Sequence, residues 1–212
     1  MAPRSPKPDP SRPDPRIGRR AVLALIAGGA GLVAMRPALA LGGAQAQAFI
    51  QRAVDDVYAV INSGQAPAAM YRQFEAILAR YGDVDVVART VLGPAARQVS
   101  AAQFASYKAA FQGYIGRKYG KRFREFVGGR IEVGGARAVK SYVVVDSVAY
   151  LSGRAPMKVE WHVSDRSGRV SFFNLIIEGV NMLASERAEM AAMLARRKGD
   201  VAALTADLQR AG

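Results

Sequence analysis

Between residues 47 and 79 apolar side chains recur at helical spacing, as Phe49, Ile50, Val54, Val57, Tyr58 and Ile61 and then as Met70, Phe74, Ile77 and Leu78. The spacing predicts two helices parted by residues 62–67, where Gly64 suits the end of the first and Pro67 the first turn of the second. A short third helix is expected over 83–93: Asp83 or Asp85 can cap it, and Gly93-Pro94 stops it. Ser100, followed three residues on by Gln103, is a capping-box signature. It opens a long fourth helix striped by Phe104, Tyr107, Phe111, Tyr114 and Ile115, in which Gly113 and Gly116 mark a place for a bend.

The period then shortens to two. Residues 130–133, 139–151, 157–163 and 169–180 are rich in β-branched and aromatic side chains and predict four strands. Residues 134–138, Gly-Gly-Ala-Arg-Ala, read as a turn; 152–156 and 165–168 read as connections tight enough to make neighbouring strands antiparallel. Over 157–163 the alternation is clean, with Met157, Val159, Trp161 and Val163 on one face and Lys158, Glu160 and His162 on the other. Helical spacing returns over 183–197 and 201–210, split at Gly199. Helices, then antiparallel strands, then helices predict an α+β fold, a curved sheet of about four strands covered by N- and C-terminal helices. The interior of such a cone is either packed with side chains or left open to an apolar ligand.

The first 46 residues follow neither period. Residues 1–20 are rich in proline and arginine and end in Arg19-Arg20, and 21–35 are mostly apolar but too few to span a bilayer, which needs about 20. Small-x-small sites follow at Ala38-Leu39-Ala40 and Ala44-Gln45-Ala46. This layout predicts a cleavable export signal, of the twin-arginine type by its arginine pair, and a single exported domain over 47–212. The whole chain carries +13 with a pI near 10.5; seven basic and two acidic residues leave with residues 1–46, so +8 remains. Such a charge points to an anionic partner, nucleic acid or an acidic lipid surface. Export favours the lipid, because an exported protein meets the envelope and not the chromosome.

Catalytic chemistry is sparse. There is no cysteine, hence no thiolate nucleophile or disulfide, and the one histidine, His162, falls on the polar face of a predicted strand. The sequence has no G-x-S-x-G elbow, no H-E-x-x-H and no Walker loop. Asp55-Asp56 and the pair Asp83/Asp85 sit at helix surfaces or starts, where solvation and capping account for them. No enzyme, metal or cofactor is expected.

One stretch is unusual in mixing cations with aromatics. Arg117, Lys118, Lys121, Arg122 and Arg124 alternate with Tyr114, Tyr119, Phe123 and Phe126. At about 100° per residue, Ile115, Tyr119, Phe123 and Phe126 gather on one side and Arg117, Lys118, Lys121 and Arg124 opposite, with Arg122 near the boundary. The aromatics therefore face inward and are not interleaved for base stacking. The cations read as a docking face or as an ordinary solvated one.

Two segments carry a resemblance. Residues 81–93, Tyr-Gly-Asp-Val-Asp-Val-Val-Ala-Arg-Thr-Val-Leu-Gly, lead into a long helix, and 166–183 lead into Ser-Glu-Arg-Ala-Glu-Met-Ala-Ala-Met-Leu. In this order and spacing the chain resembles the MlaC family of toluene-tolerance or auxiliary ABC-transport proteins, through Asp85, Ala88, Arg89, Val91, Leu92 and Gly93 and again through Ile177, Glu178, Gly179 and Val180. It departs from the family at Val170, where tryptophan is common, at Asn174, where aspartate is, and at Asn181, where serine is. The resemblance implies a monomeric periplasmic carrier with an NTF2-like half-cone that holds phospholipid acyl chains inside. Its partners would be an inner-membrane ABC transporter complex with an MCE-domain ring and an outer-membrane lipoprotein complex.

On that reading the cavity is lined by Val87, Val91, Phe104, Tyr107, Phe111, Tyr114, Ile115 and Tyr119 from helices and by Val143, Val159, Trp161, Val163, Phe172 and Ile177 from strands. Arg117, Lys118, Lys121 and Arg122 form the docking surface. A hopanoid or another apolar lipid would use the same walls; a basic nucleic-acid-binding protein is the alternative from another class.

Overall fold

The computed structural model describes residues 41–122 and 126–211. The predicted export signal therefore lies outside the described residues except for its last six positions, and so do Phe123 and Arg124.

Helix α1 spans Gly43–Ile61, α2 Pro67–Tyr81 and α3 Val84–Leu92, followed by a short 3-10 turn over Gly93–Arg97. Pro67 sits at the start of α2, where its missing N–H costs nothing. The Asp83 carboxylate caps α3 by accepting from the Val86 N–H at 3.2 Å, and Gly93 ends it with a φ of 65° that glycine takes freely. Helix α4, Ala101–Gly120, opens with both halves of the capping box: the Gln103 N–H donates to Ser100 Oγ, and the Ser100 N–H to Gln103 Oε1.

Helix α4 continues through the place marked for a bend. The helix runs unbroken, and its glycines serve packing: a Cβ at Gly116 would lie 3.1 Å from Glu75 Cβ, and one at Gly120 2.7 Å from Tyr71 Cδ1. Backbone without side chains lets α2 lie directly against α4.

Five antiparallel strands make one open sheet in the order β1-β2-β3-β4-β5: Arg130–Val139, Tyr142–Tyr150, Met157–Ser164, Ser171–Ile177 and the short Val180–Asn181. The glycines at 134 and 135, read above as a turn, lie inside β1. They form a bulge, two residues opposite the single Asp146, and the hairpin turn moves on to Lys140 and Ser141. Cross-strand pairing has overridden the local preference of glycine for a turn. Helix α5, Met182–Arg196, and α6, Val201–Arg210, complete the chain.

Apolar side chains collect in separate bodies. Helix α1 lies on one face of the sheet, joining Phe49, Ile50 and Val54 to Val143, Val145 and Val163. The helices α3 to α6 enclose a second cluster, in which Tyr107 and Phe111 meet Met190, Leu204 and Leu208. A smaller third cluster joins the end of α1 to α2 through Val60, Ile61, Met70 and Phe74. The α2–α3 connection touches the edge of β4, where the Asp83 N–H donates to the Phe172 carbonyl at 2.8 Å.

Candidate functional site

The strand phase read from sequence places its residues as follows. Val163 pairs with Val143, Trp161 with Val145 and Val159 with Ser147, all on the face that α1 covers. The Trp161 indole N–H donates to Ser147 Oγ at 2.9 Å, and that hydroxyl donates to the Val159 carbonyl at 3.2 Å, so this polar pair is satisfied. Phe172 packs edge-on to Trp161 with ring centres 5.5 Å apart. Val159 and Ile177 pair with each other farther along the sheet, outside these clusters.

The opposite face is less wet than expected. A bulge in β4 leaves Phe173 unpaired beside His162, and Tyr142 closes a ring cluster with His162 at 4.9 Å and Phe173 at 5.4 Å. Burial among these rings disfavours the imidazolium and lowers the His162 pKa, with Glu160 acting to raise it and Arg137 to lower it.

The helical half of the predicted lining goes elsewhere. Val91, Phe104, Tyr107, Phe111 and Tyr114 are core residues of the helical cluster, with Val87 and Ile115 packed against it. The predicted lining is thus divided between two bodies, one on the sheet and one among α3 to α6. Two surface depressions of about 290 and 280 Å³ are present, the first among Asp83, Asp85, Lys108 and Arg169, the second among Glu75, Ala110, Gly113, Arg117 and Gln209, where it touches the helical cluster through Ala110.

The cationic stretch divides as well. Arg117 turns to the C-terminal end of α6, donating to the carbonyls of Ala211 at 2.9 Å and Leu208 at 2.6 Å. Lys118 reaches α5, 2.8 Å from Glu186 Oε1 and also bonded to Glu189. These two cations therefore do not lie on a solvent face, because α5 and α6 pack where the helical wheel of α4 alone left open water. Lys121 and Arg122 are exposed.

The α4–α5 contact is the main feature that sequence reasoning missed. The Tyr119 hydroxyl donates to Glu186 and the Tyr114 hydroxyl to Glu189, so two carboxylates, two phenols and an ammonium share one network. Glu186 is 6% exposed. Burial pushes the Tyr114 hydroxyl up to about 12, helped by its bond to Glu189. Burial works to raise the Glu189 carboxyl too, but the bonds from Lys118 and Tyr114 outweigh it and hold it below the ordinary glutamate range. Glu186 stands four residues before Met190 and three after Leu183, in apolar phase on its helix, and that spacing was the available signal.

The two asparagines at departures from the family pattern have plain roles. Asn174 Oδ1 accepts from the N–H groups of Leu175 and Leu183, tying β4 to the start of α5, and Asn181 Oδ1 caps α5 by accepting from the Ala184 N–H at 3.0 Å. Aspartate and serine are also acceptors, so the substitutions preserve the anchoring.

The family pattern of the MlaC protein matches residues 51–210. The chain belongs to the MlaC family. Its fold is similar to that of a phospholipid-binding protein from Ralstonia solanacearum, solved in complex with a phospholipid, at a TM-score of 0.67 and 20% identity over 78% of this chain and 95% of that one. At that identity the likeness establishes the shared α+β fold.

Proposed function

We propose that this MlaC-family protein is a periplasmic lipid carrier, which takes the acyl chains of a phospholipid between its apolar clusters and leaves the head group at the rim. The observation that carries the reading is the divided core. A domain of this size ordinarily has one contiguous core, with satellites under long loops. Here two substantial apolar bodies adjoin near the α2–α3 connection and β4, and tails between them would leave each body its own packing. Family membership and the likeness to a protein solved with phospholipid support the same cargo.

The physical need is plain. Tails leaving a bilayer are exposed at about 0.8 kcal/mol per CH₂, so two long chains cost on the order of 20 kcal/mol in water. A protein cavity removes that penalty without making or breaking a bond, and the role needs no cofactor. The Val87, Val91, Phe104, Phe111 and Ile115 side chains would meet the tails from the helices, and Val143, Val159, Trp161, Val163, Phe172 and Ile177 from the sheet. The inner-membrane ABC transporter complex and the outer-membrane lipoprotein complex are the proposed partners, with the exposed Lys121 and Arg122 part of the docking surface.

Of the two candidate cleavage sites, the one after Ala40 fits the fold. It keeps Leu41 and Ala46 in the sheet-side cluster, where Ala46 has no exposed surface, whereas cleavage after Ala46 would remove the first turn of α1. The carrier reading is tested by recovering the processed protein from a bacterial periplasm, extracting it with organic solvent and identifying lipids by mass spectrometry. Phospholipid is expected; a hopanoid would change the cargo and keep the carrier. Protein that yields no lipid and takes none from vesicles would sink the proposal.

A further inference from the structure

The depression of about 290 Å³ is framed by three elements: the α2–α3 connection and first turn of α3 with Asp83 and Asp85, α4 with Lys108 and Gln112, and the β3–β4 turn with Ser167 and Arg169. It lies at the surface near the place where the two apolar bodies adjoin. The Asp83 N–H donates to the carbonyl of Phe172, which packs against the sheet-side cluster. Lys108 and Gln112 directly follow Tyr107 and Phe111 of the helical cluster.

Its donors are only partly used. Arg169 spends its guanidinium on neutral groups, the carbonyls of Arg80 and Gly82 at 2.6 Å each and that of Ala79 at 3.3 Å, so no carboxylate among the described residues answers its charge. Lys108 has three N–H donors and gives one of them to Asp85, at 3.1 Å. The side chains of Gln112 and Ser167 line the depression without a hydrogen-bond partner among the described residues.

The two carboxylates differ in what they can offer. Asp83 is buried and its oxygens are taken by the Val86 N–H and the Ser171 hydroxyl. The Asp85 side chain is 46% exposed and carries Arg89 and Lys108 at the surface, where such pairs exchange at little cost. Two carboxylates and two cations line the depression, so a head group with no net charge leaves the balance as it stands, whereas an anionic one adds an unanswered negative charge.

We infer that this depression seats a lipid head group bearing both signs, a phosphodiester beside a primary ammonium, as in phosphoethanolamine. Lys108, Arg169 and Gln112 donate to the phosphate oxygens, and Asp85 accepts from the ammonium, which takes the place that Lys108 leaves. Both contacts are charge-assisted, and neither requires a new buried charge. The assignment rests on the carrier reading above, keeps the head group at the rim, and adds which class of head group the rim selects.

The test compares two lipids with identical chains. Wild type, Asp85→Asn and Arg89→Gln, each checked for folding by circular dichroism, are incubated with vesicles holding equal amounts of phosphatidylethanolamine and phosphatidylglycerol, and the lipid retained after separation is counted. Wild type is expected to prefer phosphatidylethanolamine by roughly threefold. In Asp85→Asn the ammonium loses its acceptor, and the preference should fall to about one. Arg89→Gln removes a charge from the same carboxylate but from outside the depression, and should keep the preference. Equal retention of the two lipids by wild type, or a preference that survives Asp85→Asn, overturns the head-group site and leaves the carrier intact. A loss in Arg89→Gln as deep as in Asp85→Asn assigns the effect to the charge of α3 in general and overturns the site as well. If wild type retains neither lipid, the carrier reading fails and this assignment with it. Glycerophosphoethanolamine, the head without tails, is expected to displace no lipid at millimolar concentration; displacement would make this a site for a free phosphodiester and overturn its assignment to a lipid.

Discussion

The cluster between α1 and the sheet and the cluster among α3 to α6 bury similar side chains but close their rims differently. On the sheet side the polar contact within the paired ladder is an indole and a serine hydroxyl, and at the edge the Tyr81 hydroxyl donates to Asp56, which Arg80 pairs. Opening it means breaking strand pairing. On the helical side the rim is a network of ammonium, phenols and carboxylates between two helices whose backbones stand apart. Equal burial is thus closed by main-chain pairing on one side and by side-chain bonds on the other.

The sharpest way to break this contrast is to place a charge in the sheet-side core. Val163 has no exposed surface, so Val163→Asp is expected to cost several kcal/mol and abolish cooperative unfolding, while Glu160→Ala on the other face changes stability by less than about 0.5 kcal/mol. Urea melts of the two variants decide it, and a Val163→Asp protein that melts like wild type would refute the strand phase.

The helical rim should respond less severely but with a distinctive pattern. Glu186→Ala leaves the Tyr119 hydroxyl without its acceptor and Lys118 with one carboxylate, an expected loss of about 2 kcal/mol. Combining Glu186→Leu with Lys118→Met should recover most of that loss, because both charges go together. Additive losses in the double variant would show that the network is not a coupled unit.

Acid sharpens the same point. Because the folded pKa of Glu189 lies below the ordinary glutamate value of 4.5, its contribution is present above that value and is lost as pH falls through the lowered folded pKa. Melting temperatures taken downward from pH 6 should therefore fall less in Lys118→Met than in wild type; parallel curves would remove Lys118 as the cause.

The smallest effect is expected at the exposed cations. Lys121→Glu combined with Arg122→Glu should leave stability within about 0.5 kcal/mol. Lipid transfer to anionic vesicles should fall several-fold at low salt and converge with wild type as screening shortens below about 8 Å. Coincident transfer rates at all salt concentrations would return these side chains to an ordinary solvated surface.

The helices and their ends were legible because local chemistry determines them: Ser100 with Gln103, Asp83, Pro67 and Gly93 act within a turn of their own positions. The inward phase of 157–163 was legible for the same reason, one strand with one period. What escaped depends on what another element does. Gly134 and Gly135 read as a turn until β2 supplies the pairing that makes them a bulge. Arg117 and Lys118 read as solvent-facing on the wheel of α4, yet α6 offers carbonyls and α5 carboxylates to them. The apolar lining was recognisable residue by residue, but its division into two bodies follows from helix packing that no single periodicity records.

The glycines of α4 make that helix a fixed reference within the molecule. With Gly116 against Glu75 Cα and Cβ and Gly120 against the Tyr71 ring, α4 and α2 approach with no room for a further side-chain atom, and the distance between them has little slack to give. The span from α4 to α5, bridged by long side chains, has slack of several bonds. Distances taken from probes on α2 and α4 thus serve as an internal ruler, against which any displacement of α5 can be read in ångströms and assigned to one helix.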